Sequence, residues 1–298
     1  MSKFLENFKK ELIENNKIVP LDDLEKPGWE IIFKDYIPVM KFLGKGPAIN
    51  LYASKGCPYS CFYYCVYPMQ QGRKLRLRSP KKVVEEMIYF YEKLNVRNYI
   101  FRDPVFSLDK RHTKLLCEEI MKSKIKFNIA VETHLKNIDD ELADIFLKSG
   151  IKLVYVGIES ADEDVRADAK RWSDNNDVQI KKINYLEKIG IKIKAMYIIG
   201  FPEDTEEKYL KTLEYANKIN SSYAQFSVFT PYPGTPVYNE YKDKLLTKKF
   251  EDYNQWKLVF KHKNLTEASI RKLLDLSYKK YYLRFSWIKK YLINKVFT

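Results

Sequence analysis

The sequence predicts an α/β chain built around an incomplete (β/α)6 parallel barrel, with a doubly wound sheet as the structural alternative. Three observations carry this. Between residues 48 and 230, six short apolar runs alternate with segments of helical period. Gly150 and Gly190 stand just before the next run, where glycine stops a helix by adopting the left-handed conformation. Three cysteines crowd the loop directly after the first run, the end of a strand where parallel α/β proteins place their chemistry.

Residues 1–47 contain Pro20, Pro27 and Pro38 and read as a strap. The first strand is Ile49–Ala53. A basic loop follows (Arg73, Lys74, Arg76, Arg78), then a helix opening at Ser79-Pro80. Proline is tolerated there because the first-turn N–H has no intrahelical partner. Val83, Val84, Met87, Ile88 and Tyr91 form its apolar stripe. The second strand spans Asn98–Asp103, with a helix over about Asp109–Lys122. The third spans Lys126–Glu132, with a helix over Asp139–Ser149. The fourth spans Leu153–Ile158, with a helix near Val178–Ile189. The fifth spans Ile193–Ile199, with a helix over Thr205–Ile219, and the sixth is Ala224–Phe229. Such units join parallel strands through right-handed crossovers. Nothing marks a seventh or eighth. The expected organisation is a strap (1–47), a core barrel (48–237) and a helical C-terminal extension (238–298) with a basic aromatic tail.

A chain of 298 residues with 45% hydrophobic content supports one large core. The net charge of +14, from 53 Lys and Arg against 39 Asp and Glu, suits an anionic partner or merely reflects solvated faces. The N-terminus lacks a signal-peptide core, and no apolar run approaches the ~18 residues of a membrane span. Clustered free thiols imply a reducing compartment, so the expected location is the cytoplasm.

The cysteine run reads Gly56-Cys57-Pro58-Tyr59-Ser60-Cys61-Phe62-Tyr63-Tyr64-Cys65. Three close thiolates can bind three irons of a [4Fe–4S] cluster and leave the fourth iron open to a ligand. Zinc prefers paired cysteines or added histidines, and His112, His134 and His262 are remote in sequence. A zinc site and a chance crowding of buried cysteines are the alternatives. Cys117, among Leu115, Leu116, Ile120 and Met121, reads as a buried thiol.

This run resembles that of the radical S-adenosylmethionine (SAM) superfamily. The resemblance extends over about residues 48–237, through Gly157-Ile158-Glu159-Ser160, Gly200-Phe201-Pro202-Glu203 and Pro231-Tyr232-Pro233-Gly234-Thr235-Pro236. It implies that SAM chelates the open iron and that an electron from the cluster cleaves it to a 5′-deoxyadenosyl radical. The family spaces its cysteines by three residues and then two. Here the spacing is three and three, and one extra residue can bulge out without moving the flanking thiolates far. The segment Val19–Trp29 resembles the strap that joins a cobalamin-binding domain to such a core. No Asp-x-His-x-x-Gly pattern is present, so cobalamin is not expected to be bound by this chain.

The resemblance also implies SAM contacts. Asp103 would take the amino group, with an Asx turn before Pro104 as the alternative. Glu159 and Ser160 would supply polar contacts, Ser160 nearest the ribose, the alternative being a helix cap. Arg171 would meet the carboxylate, and Gly200 and Phe229 the adenine. Glu132 is hard to hide in a core, so it faces the cavity or is paired.

From Leu276 to Thr298 there are six Lys or Arg and no acidic residue, with Tyr281, Phe285, Trp287, Ile288, Tyr291, Leu292 and Val296 interleaved. This fits a helix lying on an anionic membrane surface, a helix packed on the barrel, or, less favoured, a nucleic-acid stripe. Tyr281-Tyr282-Leu283-Arg284 also resembles a tail of cobalamin-associated radical SAM enzymes. The expected function is hydrogen abstraction from a hydrophobic, lipid-like small molecule, with an electron donor such as flavodoxin or ferredoxin. A tRNA-modifying radical SAM enzyme and a non-catalytic iron–sulfur barrel are the alternatives.

Overall fold

The computed structural model of the chain describes residues 20–36, 41–42 and 45–296. Its strands are β1 (Lys41–Phe42), β2 (Lys45–Leu51), β3 (Ser54–Lys55), β4 (Arg76–Leu77), β5 (Asn98–Phe101), β6 (Asn128–Glu132), β7 (Ile151–Glu159), β8 (Lys192–Ile199) and β9 (Tyr223–Val228). Its helices are α1 (Trp29–Tyr36), α2 (Tyr67–Gln71), α3 (Pro80–Leu94), α4 (Lys110–Lys122), α5 (Asp140–Ser149), α6 (Glu163–Asp168), α7 (Asn176–Ile189), α8 (Glu206–Ile219), α9 (Pro236–Tyr241), α10 (Glu267–Tyr282) and α11 (Phe285–Val296).

Six strands, β2-β5-β6-β7-β8-β9, pair in parallel and curl into a half-barrel, and β1 pairs antiparallel with β2 at one edge. Helices open where the sequence offers a cap: the side chains of Ser79, Asp109, Asp139 and Thr205 each accept a first-turn backbone N–H. Gly150 ends α5 at φ +91°, and a Cβ there would lie 2.4 Å from the Phe127 carbonyl oxygen.

The core lies between the outer face of the sheet and its helices. In β8, Ile193, Ala195, Tyr197 and Ile199 are buried outward, while Lys192, Lys194, Met196 and Ile198 alternate inward and are only half-buried. A doubly wound sheet covers both faces with helices and would not alternate this way. The half-barrel is therefore the correct alternative.

Three local expectations are corrected. The first strand runs Lys45–Leu51 rather than to Ala53, because Asp103 takes the Ala53 N–H at 3.1 Å and turns the chain. The cysteine loop contains α2 and is closed by the small β3–β4 ladder. The C-terminal extension is not helical throughout: between α9 and α10 it runs through short turns and returns Leu258, Val259 and Phe260 to the core. Residues 1–19 of the expected strap lie outside the described residues. Among those described, Asp22 accepts the Ser79 N–H at 2.9 Å and Leu21 is buried.

The tail is largely part of the barrel. The Trp287 indole N–H donates to Ser222 O at 2.9 Å. Arg284 donates to Asn220 Oδ1 at 2.7 Å, and its guanidinium lies 3.8 Å over the Tyr281 ring. Lys290 donates to Asn220 O at 2.8 Å and pairs with Glu187 at 3.0 Å. Trp287 and these two cations are thus committed to packing, which removes them from the membrane face expected of the tail. Phe285, Ile288 and Leu292 remain exposed. Tyrosines of α10 line the outer edge of β9. The Tyr282 hydroxyl accepts the Ala224 N–H at 2.9 Å and donates to Ala224 O at 2.7 Å. The Tyr278 hydroxyl does the same with Phe226, at 3.3 and 3.2 Å.

Candidate active site

The cysteine loop is held at both ends. Asp103 follows β5, fully buried, and its second oxygen accepts the Ser54 hydroxyl at 2.6 Å. Gly56 has φ +95°, and a Cβ there would lie 2.1 Å from Lys74 O, so the loop requires glycine. The Cys57 N–H donates to Gly72 O at 3.1 Å. Residues Ser60–Tyr63 then form a tight helical turn, and the Cys65 N–H donates to Cys61 O at 3.0 Å. Residues four apart on a helical turn share a face. The extra residue is therefore absorbed as one turn of helix, which brings the Cys61 and Cys65 thiols into hydrogen-bonding contact.

Cys57 and Cys61 are buried and Cys65 half-buried. The hydrogen bond from Cys65 draws the Cys61 thiol down to about 7, and Arg171 adds to this against burial. The same hydrogen bond, with burial, pushes Cys65 well up, and burial raises Cys57. Each of the three acts electrostatically on another, so they converge on one region. Among the described residues no three Cys, His, Asp or Glu side chains form a ready-made site for a metal ion. The donor chemistry fits an iron–sulfur cluster: three clustered thiols, one of them held below its ordinary pKa, beside a fixed cation.

That cation is Arg171. It donates through Nη2 to Gly157 O at 2.9 Å, and its Nε lies 3.6 Å from Glu159 Oε1, an ion-pair distance. Burial opposes its charge, but Glu159, Tyr64 and Cys61 outweigh burial and hold its pKa above the usual value. Glu159 has φ +68°, and the register of β7 against β8 slips between Gly157 and Glu159. The irregularity turns its carboxylate toward Arg171 and Tyr64. Burial raises the Glu159 carboxyl, with Arg171 opposing.

The structure brings Glu159, Arg171 and the three cysteines together. Asp103, Ser160 and Gly200 have contacts of their own. The two Asp103 oxygens accept from the Ala53 N–H and the Ser54 hydroxyl, which ties its carboxyl to the start of the cysteine loop. The Ser160 hydroxyl lies 3.2 Å from that of Thr212 in α8 and accepts the Asp162 N–H at 3.1 Å, turned into the helix layer. Gly200 has φ +81°, and a Cβ there would meet Ile270 Cδ1 of α10 at 2.9 Å. Phe229 is placed at the rim, its ring centroid 6.1 Å from that of Tyr64 and 5.1 Å from that of Phe201.

Below this rim the half-barrel encloses a cavity of about 390 Å³, within the range of small-molecule sites. Tyr64, Cys65, Tyr67 and Phe229 line its upper part, and Arg102, Glu132, Tyr155, Lys194, Gln225 and Ser227 lie beneath. Register places Glu132 beside Tyr155, Tyr155 beside Lys194, and Lys194 beside Tyr223, one rung across the sheet. Arg102 follows Phe101, which pairs with Val131, and so stands at the same level. The Tyr67 hydroxyl donates to Glu132 Oε2 at 3.1 Å, so Glu132 both faces the cavity and is paired. Burial raises its carboxyl, with Arg102 opposing. Lys194 sits 5.2 Å over the Tyr155 ring, and burial lowers its pKa.

Sequence reasoning missed Tyr64, Tyr67, Arg102, Tyr155 and Lys194. The signal was a polar residue at every second position of a strand, as in Lys192-x-Lys194. It also missed His134, whose ring lies 5.5 Å from that of Tyr59 and 5.9 Å from that of Trp172. Burial lowers His134 to about 3, so it is neutral at pH 7.

The sequence profile described as the Radical SAM superfamily matches residues 51–216. An uncharacterized methyltransferase of Pyrococcus horikoshii is 29% identical over 88% of this chain and 57% of its own length. The bacteriochlorophyllide d C-12(1)-methyltransferase of Chlorobaculum tepidum is 27% identical over 73% of this chain and 48% of its own. The anaerobic magnesium-protoporphyrin IX monomethyl ester cyclase of Rubrivivax gelatinosus is 25% identical over 91% and 48%. The chain thus spans about half the length of these curated relatives. Among solved structures, the radical SAM methyltransferase TsrM of Kitasatospora setae, with cobalamin and a [4Fe–4S] cluster bound, superposes with a TM-score of 0.61 at 21% identity over 66% of this chain and 40% of that one. The cobalamin-dependent enzyme OxsB superposes with a TM-score of 0.54 at 13% identity over 79% and 37%. These likenesses support the fold.

Proposed function

The chain belongs to the radical SAM superfamily, and from that premise we propose that it binds a [4Fe–4S] cluster and SAM at the cysteine loop and acts on a carbon centre of a substrate held in the half-barrel, in a reaction of methyltransferase or cyclase type. The observation that carries this is the convergence of Cys57, Cys61 and Cys65, with Arg171 beside Cys57 and Cys61 and with Cys65 lining the cavity. When bound, the cluster and SAM supply an electron and a hydrogen-abstracting radical. The chain's own residues do the rest. Cys57, Cys61 and Cys65 would hold the cluster, and Arg171 would stabilise negative charge beside Cys61 while fixed by Glu159 and Gly157 O. Tyr64, Phe201 and Phe229 form an aromatic rim that keeps water from the reacting centre.

The substrate in this reading is a hydrophobic, lipid-like small molecule in the cavity, and the electron donor a flavodoxin or ferredoxin. Phe285, Ile288 and Leu292 are the residues we would assign to an anionic membrane surface. Among the described residues no helix is long and apolar enough to cross a membrane. No cobalamin contact is assigned to this chain.

Anaerobic reconstitution tests the reading. The chain should take up about four irons and, with reductant and SAM, release 5′-deoxyadenosine. Cys57→Ala, Cys61→Ala and Cys65→Ala should each abolish iron uptake, whereas Cys117→Ala, fully buried in α4, should not. Stoichiometric zinc with no iron would overturn it.

A further inference from the structure

We propose that the substrate carries a carboxylate, bound at the floor of the half-barrel by Arg102 and Lys194. This rests on the reading of the cavity as the substrate site and adds the polar half of the molecule to its hydrophobic half.

The argument begins with charge. The rung across β5 to β9 presents Arg102, Glu132, Tyr155, Lys194 and Tyr223 on the inner face. That is two cations against one carboxylate. Glu132 is engaged by the Tyr67 hydroxyl, and among the described residues neither Arg102 nor Lys194 has a carboxylate within ion-pair distance. Lys194 has the face of Tyr155 beside it, and it feels Glu132 favourably and Arg102 unfavourably from a distance. A half-buried ammonium with no counter-ion in contact is costly to maintain, because burial penalises its charged form. Such a cation belongs to a site that an anion completes. Arg102, exposed into the cavity, offers the planar fork that takes a carboxylate in bidentate fashion.

Depth then separates this group from SAM. Lys194 lies four residues before Ile198 on β8, about 13 Å along the strand at ~3.3 Å per residue. The cysteines, Glu159 and Arg171 occupy the rim. Beneath the rung, Ala48, Ile100, Ala130 and Leu153 close the floor, with Tyr155 and Tyr223 packed on them. Above it, Met196, Ile198 and Phe229 line the wall. A molecule spanning this space meets an apolar wall along its body and two cations at its foot. Its carbon skeleton is thereby oriented with the far end toward the cysteine loop.

The test uses a matched pair of probes on the full chain without cluster: 1-naphthaleneacetate and its neutral amide, with affinities read by ligand-observed NMR. The acid should bind at least tenfold more tightly than the amide. Arg102→Gln and Lys194→Gln should each reduce that preference several-fold, and the double variant should abolish it. Lys211→Gln, on the exposed face of α8, should leave it intact. Retained circular dichroism and melting establish that the variants fold, and Arg102→Lys should restore part of the preference. A wild-type preference below threefold, or one that survives both substitutions, overturns the proposal. So does a loss of SAM affinity in the reconstituted variants equal to the loss for the acid, because the rung would then serve SAM. None of the probe measurements needs the cluster, so failure of 5′-deoxyadenosine release with an intact acid preference would count against the radical reading alone.

Discussion

The two faces of one sheet divide the labour of this molecule. Outward from β8 point Ile193, Ala195, Tyr197 and Ile199, all buried under helices. Inward point Lys192, Lys194, Met196 and Ile198, only half-buried. The same alternation runs through β9. Successive strand residues face opposite sides, so one strand supplies core and chemistry by turns. The apolar outer face carries the stability, because burying apolar area is the main favourable term in folding. The inner face can then hold groups that weaken the fold or leave it unchanged.

The sharpest test of that division is at Phe226. It is fully buried on the outer side, its ring 5.3 Å from that of Tyr197 and 5.4 Å from that of Tyr278. Phe226→Ala should cost about 3–5 kcal/mol by urea denaturation. A loss below ~1 kcal/mol would break the comparison.

Asp103 lies between the faces and gives a smaller, pH-dependent effect. Burial lifts its carboxyl to about 6 from 3.8. The folded chain therefore binds this proton more tightly than the unfolded chain. Its contribution to stability is complete below pH ~4 and is lost as pH rises through 6, a swing of about 3 kcal/mol. Asp103→Asn carries no such proton and keeps one acceptor for Ala53 or Ser54. Between pH 4 and 7 the wild type should lose up to that amount relative to the variant. Parallel stability curves for the two proteins would contradict the burial argument. Asp204 is also lifted to about 6 by burial, but it is common to both proteins and cancels.

The smallest effect is expected on the inner face. Lys194→Gln removes a charge that burial disfavours and no ion pair among the described residues, so the urea midpoint should shift by less than about 0.5 kcal/mol. The same substitution should weaken acid binding. A large loss of stability would place Lys194 in the fold rather than in the site.

The six-unit order, the helix caps at Ser79, Asp109, Asp139 and Thr205, and the glycine stops were legible because each follows from local chemistry. The choice between half-barrel and doubly wound sheet is also legible, in the period-two placement of Lys192 and Lys194, which apolar content alone does not reveal. Ser160 and Gly200 were assigned by position in a motif. Their contacts with Thr212 and Ile270 depend on where α8 and α10 dock, which no short motif specifies. Arg171 comes from the loop between α6 and α7 and reaches Cys61, a contact that no spacing in the sequence specifies. The three-and-three cysteine spacing leaves the path of the extra residue open in the sequence. Four residues make roughly one helical turn, so the longer spacing brings Cys61 and Cys65 to the same side.

The phenol pairs on α10 have a consequence for how the molecule meets its own kind. Tyr278 and Tyr282 are four residues apart on a helix, a rise of about 6.0 Å at 1.5 Å each. Ala224 and Phe226 are two apart on a strand, about 6.6 Å at ~3.3 Å each. The two pitches nearly coincide, so each hydroxyl can stand in for a neighbouring strand, taking an N–H and giving a proton to the C=O of one residue. Val228 is matched in the same row, its N–H donating to Gln255 O at 2.7 Å. A bare outer strand is a template for another chain to add to. Over these three residues the barrel's last strand offers no vacant register, and edge-to-edge stacking into fibres has no place to start.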